Sequence, residues 1–363
     1  MILHKYFAIK FMWSFLGVFA LFALLLAMID FIEEMRKPTN MPFGEMLEIV
    51  LLNAPAANYQ ILPLVVILAS VAFFLRLSRT NEMVVVRASG RSAFRILSAP
   101  VAMAGLIGVI AITMFNPIMV AATKLHIDMV NEHFGRSSNV LMVTSDGIWL
   151  RQGNERGQTV IHALRAKPEN GQFFDATFFT FSSEGEPLRR IAAKTATLGP
   201  QDWILEDVKS WNLSARSNPE SAALKTESLT LPTTITLDSI ADSFSKPELI
   251  SFWELPDFIE QYKKAGFSAR QYKAWYQSEL SRPLFLIAIV LIAASFTIHN
   301  ARFGHAGLSA LIAVMIGFGM HYVRNLALVQ GETGQIPIAL AVWTPAIASL
   351  LFAIGVLIHL EYR

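Results

Sequence analysis

Phe11 to Ile29 reads FMWSFLGVFALFALLLAMI, an uninterrupted apolar run without a charged side chain. A membrane-spanning helix needs about 20 mostly apolar residues, because the hydrocarbon core is roughly 30 Å thick and a helix rises about 1.5 Å per residue. The whole chain has the same character: 53% of its 363 residues are hydrophobic, 16% are charged, and the mean hydropathy is +0.45. This composition excludes an ordinary soluble domain and predicts a protein that lies mainly in lipid.

Five further segments outside this run are long and apolar enough to cross a bilayer. The six predicted spans are Phe11 to Ile29, Ile49 to Leu75, Ile96 to Thr123, Pro283 to Ile298, Ala306 to Val323 and Ile336 to Ile358. Within the second span, Pro55 and Pro63 predict that regular helix is confined to the second half, because proline lacks a backbone donor. The order is three spans, a long insert and three more spans.

The placement of basic residues predicts the orientation of these spans. The loop between spans two and three has one acid, Glu82, and five arginines: Arg76, Arg79, Arg87, Arg91 and Arg95. Short basic loops stay in the cytoplasm, so this loop and both termini are predicted to be cytoplasmic. The insert from about Lys124 to Arg282 then lies on the opposite side of an inner membrane, in the periplasm.

Most of the insert has the pattern of short strands separated by turn residues. The predicted strands are Val140 to Leu150, Thr159 to Leu164, Phe173 to Phe181, Ile191 to Leu198, Trp203 to Leu213 and Leu224 to Leu237. Six to eight strands favour a sandwich or jelly roll. From Lys246 the spacing becomes helical, and Gly266 predicts the end of this helix. A second amphipathic helix from about Ala269 is predicted to merge with span four at Pro283. The predicted fold class is an α+β membrane protein with six transmembrane helices (3+3) and an inserted, periplasmic, jellyroll-like β domain.

The motifs of the common enzyme classes are absent from the sequence. It contains no Gly-x-x-x-x-Gly-Lys-Ser/Thr phosphate loop, no His-Glu-x-x-His zinc motif and no Gly-x-Ser-x-Gly nucleophile elbow. There is no cysteine, which excludes a thiolate metal site. His126, Asp128, Glu132 and His133 lie near each other after span three, but their spacing matches no established metal site and we interpret them as a polar helix end.

Two groups of polar residues have either a functional or a purely topological interpretation. The loop from Thr80 to Ser98 can form an amphipathic helix that docks on a cytoplasmic motor through Glu82, or it can simply lie on the membrane surface. At membrane depth, Asp30 and Arg324 can pair with each other, or Arg324 can bind an anionic headgroup. Arg36 and Lys37 lie further out, where long cations often extend to the interface.

Four stretches of the sequence form an ordered pattern over nearly the whole chain. They are Asn81-Glu82 with Arg87-Ala88-Ser89-Gly90; Trp203 to Leu213; Phe252-Trp253-Glu254-Leu255 to Ala265-Gly266, with Tyr272 and Arg282-Pro283; and Gly331, Gly334, Ile336-Pro337, Trp343 and Pro345. Together they resemble the LptF/LptG family, the permease subunits of the lipopolysaccharide export ABC transporter. The stretch Asp30-Phe31-Ile32-Glu33-Glu34 is more similar to the LptG branch than to the LptF branch.

The resemblance implies a role, partners and domain limits for this chain. It implies a permease that has no cofactor of its own and whose substrate is lipopolysaccharide. The implied partners are an LptF-like permease, an LptB-like ATPase dimer that uses ATP, and an LptC-like bitopic protein. Nucleic acid is not an implied partner. The implied domains are residues 1–123 with a coupling helix at about 78–95, residues 124–270, and residues 271–363. The implied coupling residues are Asn81, Glu82, Arg87, Gly90 and Arg91, and the substrate-contact candidates are Asp30, Arg36, Lys37 and Arg324.

Two other functions are rivals to a permease. A non-transporting envelope scaffold would use the periplasmic domain to recruit partners and the basic loop only for topology. An intramembrane hydrolase lacks any catalytic constellation in the sequence. Copurification of a stoichiometric cytoplasmic ATPase distinguishes the transporter from the scaffold.

Overall fold

We analysed a computed structural model of the chain. It describes residues 2–37, 42–80, 82, 93–133, 141–144, 147–154, 157–167, 171–182, 184–213, 220, 223–233, 246–264, 268–300 and 306–361. Contacts between Cα atoms divide the chain into two compact units. The membrane unit comprises Met1–Val130, Ser251–Trp253 and Arg270–Arg363, and the second unit comprises Asn131–Ile250 and Glu254–Ala269.

Six helices of the described chain are long and apolar enough to cross a membrane, as the sequence predicted. Span one is Ile2–Met35, span two is Phe43–Arg79, span four is Arg270–Asn300, span five is Ala306–Thr333 and span six is Ile338–Glu361. Span three consists of Ala93–Ile110, a π-helical turn at Ala111–Phe115, and Asn116–His133. Most helices extend beyond the predicted limits, since apolar runs mark only the part within hydrocarbon and helical hydrogen bonds continue into the interface.

The prediction that Pro55 and Pro63 confine span two to its second half is wrong, because the helix continues through both residues. Each proline removes one backbone hydrogen bond, and the helix retains the bonds on either side. Pro63 is buried together with Leu62 and Val65, so packing within the membrane unit holds the helix together at this point. Prolines are tolerated in this way in membrane helices.

The predicted helix from Lys246 begins later than expected. A short 3-10 turn covers Pro247–Leu249, and regular helix runs only over Leu255–Lys264. Between these elements the chain is attached to span three, where the N–H of Phe252 donates to Asn116 Oδ1 at 2.8 Å. The predicted stop at Gly266 lies outside the described residues.

The described strands form a single antiparallel sheet in which strand order follows the sequence. The strands are β1 (Leu141–Thr144), β2 (Gly147–Asn154), β3 (Gly157–Lys167), β4 (Gln172–Ser182), β5 (Pro187–Leu198), β6 (Asp202–Asn212) and β7 (Leu224–Pro232). The first predicted strand is therefore a hairpin, in which Thr144 pairs with Gly147. The last predicted strand ends at Pro232 within the described residues, and its positions 234–237 lie outside them.

The sheet is strongly curled. Thr233 Oγ1, directly after β7, donates to Gln152 Oε1 in β2 at 2.7 Å. In a flat sheet these strands would be about 24 Å apart, because neighbouring strands are spaced by about 4.8 Å. The inner face is apolar, and Trp203 is fully buried there. Its ring packs edge-to-face against Phe173 and Phe178, with centroid distances of 5.2 and 5.7 Å.

A row of irregular residues bends four of the strands at the same level. Asp175 in β4 and Asp207 in β6 have φ angles of 53° and 52°, a left-handed backbone that is uncommon for residues other than glycine. Buried residues on either side of the row are three positions apart instead of two: Ala163 and Ala166, Phe173 and Ala176, Ala193 and Ala196, Leu205 and Val208. The register pairs these residues across the sheet, so the bulge is continuous from β3 to β6.

Spans three and four approach each other closely at a glycine. A Cβ placed on Gly108 would lie 2.6 Å from Pro283 Cα, which is backbone that cannot rotate away. Ala104 and Ala111 are buried on the same span, so small residues form its contact face. Small residues allow helix backbones to pack closely in membranes, where association depends on van der Waals contact.

Candidate coupling and substrate-contact sites

The predicted coupling residue Glu82 lies three residues after span two. Its carboxylate accepts hydrogen bonds from side chains of span one and from the residue that follows span two. Lys10 Nζ on span one donates to Glu82 Oε1 at 2.5 Å, and Thr80 Oγ1 donates to the same oxygen at 2.9 Å. Tyr6 Oη donates to Glu82 Oε2 at 3.2 Å. Both carboxylate oxygens therefore have donors within the chain.

The ionisation of Glu82 follows from these contacts. Partial burial raises the pKa of the carboxyl, but the hydrogen bonds from Lys10 and Thr80 outweigh this effect and hold its pKa below the ordinary value. Glu82 is thus a carboxylate at neutral pH. The other predicted coupling residues Asn81, Arg87, Gly90 and Arg91 lie outside the described residues.

The C-terminal end of span one carries three of the predicted substrate contacts. Asp30 accepts a hydrogen bond from Asn53 Nδ2 on span two at 2.9 Å. Lys37 pairs with the buried Glu34 at 2.5 Å, although 39% of its own side chain is exposed. The side chain of Arg36 is exposed and forms no hydrogen bond or ion pair in the part of the chain that the structure describes. Of these residues, Arg36 presents its cation most freely to a ligand.

The fourth candidate, Arg324, lies in the interior of the membrane unit. It is 5% exposed, and its Nη2 donates to the carbonyl of Ser278 at 2.9 Å and to Ser278 Oγ at 2.8 Å. The Nε of Arg324 is buried and has no hydrogen-bond partner among the described residues. Asp30 and Arg324 do not form the pair that the sequence left open, because each has a different partner.

A buried ionic group lies beside Arg324 and was missed in the sequence. Glu279 is fully buried and binds Arg282, whose Nε and Nη2 donate to Glu279 Oε2 and Oε1 at 3.0 and 2.5 Å. The hydroxyl of Tyr59 on span two also donates to Glu279 Oε2. The Cζ atom of Arg282 lies 4.2 Å from the centroid of the Tyr59 ring. The available signal was a pair of opposite charges at an i, i+3 spacing, directly before the predicted start of span four at Pro283.

The polar group after span three has a structural contact. His126 Nδ1 lies 3.1 Å from the carbonyl oxygen of Ile49 on span two. This contact joins the C-terminal part of span three to span two.

The fold defines the class of protein: a polytopic membrane protein with three spans before and three spans after an inserted sheet. The chain belongs to the family of the lipopolysaccharide export system permeases LptF/LptG, whose model matches residues 5–359. The family predicted from the sequence is therefore confirmed.

Individual relatives support the same assignment. The chain is 22% identical over 280 residues to the lipopolysaccharide export system permease protein LptG of Escherichia coli strain K12, a match that covers 76% of this chain and 75% of the relative. It is 20% identical over 341 residues to LptG of Haemophilus influenzae, covering 90% and 89% of the two chains. These relatives carry the name of the branch that the stretch from Asp30 to Glu34 resembles.

Proposed function

We propose that this chain is a transmembrane permease subunit of an ABC transporter that extracts lipopolysaccharide from the inner membrane and passes it to a periplasmic bridge towards the outer membrane. The observation that carries the proposal is the family match over residues 5–359, which covers all six spans and the inserted sheet. The chain acts as a transporter component, and a separate cytoplasmic ATPase hydrolyses ATP. Its proposed partners are an LptF-like permease, an LptB-like ATPase dimer and an LptC-like bitopic protein.

The proposed coupling step uses Glu82. A carboxylate that is ionised at neutral pH at the end of span two is a suitable contact for a basic group on the motor. Because Glu82 lies three residues after the end of span two, a push from the motor at this point is transmitted to a helix with many buried residues. Asn81, Arg87, Gly90 and Arg91 are proposed to complete the same contact.

Substrate contact is proposed at the outer ends of the spans. Lipopolysaccharide carries phosphates, which arginine and lysine bind through charge-assisted hydrogen bonds. Arg36 is the exposed cation for this role. Lys37 can leave its partner Glu34 and bind a phosphate instead. Asp30 holds span one against span two through its hydrogen bond with Asn53. Arg324 contributes positive charge from the interior, and its unpartnered Nε is the group that a ligand can still satisfy.

The inserted sheet is proposed to receive the lipid. Its curled inner face is apolar and can shelter acyl chains once the packing around Trp203 opens. The edge strands β1 and β7 each have one side without a neighbouring strand in the described sheet. Such an edge can be extended by a strand of a partner protein.

The coupling role is tested by Glu82→Ala in the complex purified from native membranes with its bound ATPase. We expect ATP-driven release of lipopolysaccharide to fall while the amount of permease in the membrane stays the same. Glu184→Ala removes an exposed acid from the β4–β5 turn and serves as the control. Unchanged release in Glu82→Ala would exclude this residue from coupling, and the absence of a stoichiometric ATPase would favour the scaffold function instead.

The substrate contacts are tested by photocrosslinking to lipopolysaccharide from Tyr322, which is 59% exposed on span five. Arg36→Gln and Arg324→Gln are expected to lower crosslinking, because each removes a cation without adding an acid. Lys5→Gln, at the other end of span one, is the matched control. If crosslinking in Arg324→Gln equals that of the wild type, the role of Arg324 is confined to the buried network.

A further inference from the structure

Lys10 connects span one to the coupling segment across the inner end of the membrane unit. Its Nζ binds Glu82 Oε1 at 2.5 Å and Tyr6 Oη at 3.0 Å, and it lies 5.0 Å from the centroid of the Tyr6 ring. Tyr6 and Lys10 are one helical turn apart, so both project from the same face of span one. Two residues of span one thus hold a carboxylate that is 72 positions away from Lys10 in the sequence.

The pair is shielded enough for its charges to matter. The side chains of Lys10 and Glu82 are 19% and 26% exposed, respectively. An ion pair of this kind is screened by water less than a fully exposed pair is. The bonds from Lys10, Thr80 and Tyr6 also occupy acceptor positions on both oxygens of Glu82.

The donors already bound to Glu82 limit how a second cation can bind it. A carboxylate has about four lone-pair positions, and a bidentate guanidinium needs one on each oxygen along the same edge. A basic group that approaches Glu82 from the cytoplasm therefore competes with Lys10 for the same negative charge. The exchange is balanced in charge: one cation leaves Glu82 as another arrives, and Lys10 becomes solvated.

We propose that Lys10 is a positioning residue for the coupling step, the resting partner of Glu82 that a basic group of the ATPase displaces when it docks. The proposal rests on the proposed function and adds a response in span one. The buried aromatic side chains of span one, Phe7, Phe11 and Phe15, all lie in the half of the helix that carries Lys10. The ring centroids of Phe11 and Phe73 are 5.5 Å apart there, and displacement of Lys10 removes the ion pair between span one and the segment after span two.

The first test measures how tightly the copurifying ATPase binds the permease complex in nanodiscs. Lys10→Met removes the competitor and is expected to tighten binding by about two- to fivefold, the range given by a partly exposed ion pair. Lys10→Arg retains the cation and should restore wild-type affinity. Lys5→Met, an exposed lysine on the same helix, is the matched control.

A double-mutant cycle separates this proposal from the coupling role itself. In a Glu82→Gln background, Lys10→Met should not change the affinity further, because the shared carboxylate is gone. Unchanged or weaker ATPase binding in Lys10→Met, with weaker binding in Glu82→Gln, would overturn the role of Lys10 and retain that of Glu82. Unchanged binding and lipid release in Glu82→Gln would instead contradict the coupling step of the proposed function.

A distance measurement tests the response of span one. The chain has no cysteine, so spin labels can be attached at Ile9→Cys and Arg79→Cys without background. ATPase docking is expected to lengthen or broaden the distance distribution between spans one and two in the otherwise unaltered chain. In Lys10→Met the free permease should already show the docked distribution. Identical distributions with and without the ATPase in the chain that retains Lys10 would overturn the displacement.

Discussion

At the scale of single residues, the membrane unit contains an unusual charge balance. The group around Glu279 contains two guanidinium groups, Arg282 and Arg324, and one carboxylate within the described chain. Glu279 is shared by Arg282 and Tyr59, whereas the hydrogen bonds of Arg324 within the described residues go to the neutral oxygens of Ser278. Buried ions are stable only when partners compensate their lost hydration, so Glu279 has a central role in this network.

We therefore expect Glu279→Ala to destabilise the membrane unit by about 3–5 kcal/mol, because it leaves two buried cations without a carboxylate. The measurement is thermal unfolding of the purified chain in detergent. Glu48→Ala, which removes an exposed acid from span two, should leave the unfolding temperature unchanged. Equal unfolding temperatures for Glu279→Ala and the wild type would show that Arg282 and Arg324 find other compensation.

At the scale of the elements, the closest helix contact depends on Gly108. A larger side chain at this position meets the backbone of Pro283, which cannot move without displacing span four. Gly108→Val should cost about 1–3 kcal/mol of stability, the usual range for overpacking. Gly17→Val has the same change in volume where nothing lies within 4 Å, and unfolding should begin at a lower temperature only for Gly108→Val. Similar unfolding of the two variants would contradict the close contact.

The bulge in the sheet gives a second prediction for an element. Asp207 has a left-handed backbone, in which a β-branched side chain is sterically unfavourable. Asp207→Val should lower the stability of the sheet by about 1–2 kcal/mol, and Asp207→Gly should not. Glu206→Val, at the neighbouring exposed position where φ is not positive, is the control, and unfolding in urea is measured by amide hydrogen exchange of β6. If Asp207→Val and Glu206→Val unfold alike, the bend does not depend on this conformation.

The elements also show how far the sequence could predict the structure. Uncharged runs identified all six spans, since apolar length is a local property. The bend at Asp175 and Asp207 could not be predicted, because a strict two-residue alternation has no place for two consecutive outward residues. Span two continues through Pro55 because contacts with other helices outweigh a local preference. The partners Lys10 and Glu82 are far apart in sequence, so charge patterns identified Glu82 without indicating what binds it.

At the scale of the whole molecule, the orientation in the membrane remains a prediction from charge, and cysteine labelling can test it directly. Lys5→Cys and Arg79→Cys should react with a membrane-impermeant maleimide only after the inner membrane is opened. Glu184→Cys and Thr333→Cys, exposed on the second unit and at the end of span five, should react in spheroplasts with an intact inner membrane. This is expected because basic residues mark cytoplasmic loops: arginines are concentrated after span two, whereas residues 330–335 contain neither arginine nor lysine. Because the chain lacks cysteine, the unsubstituted protein is the control for background labelling. Labelling of Arg79→Cys in intact spheroplasts would reverse the orientation and place Glu82 out of reach of a cytoplasmic motor.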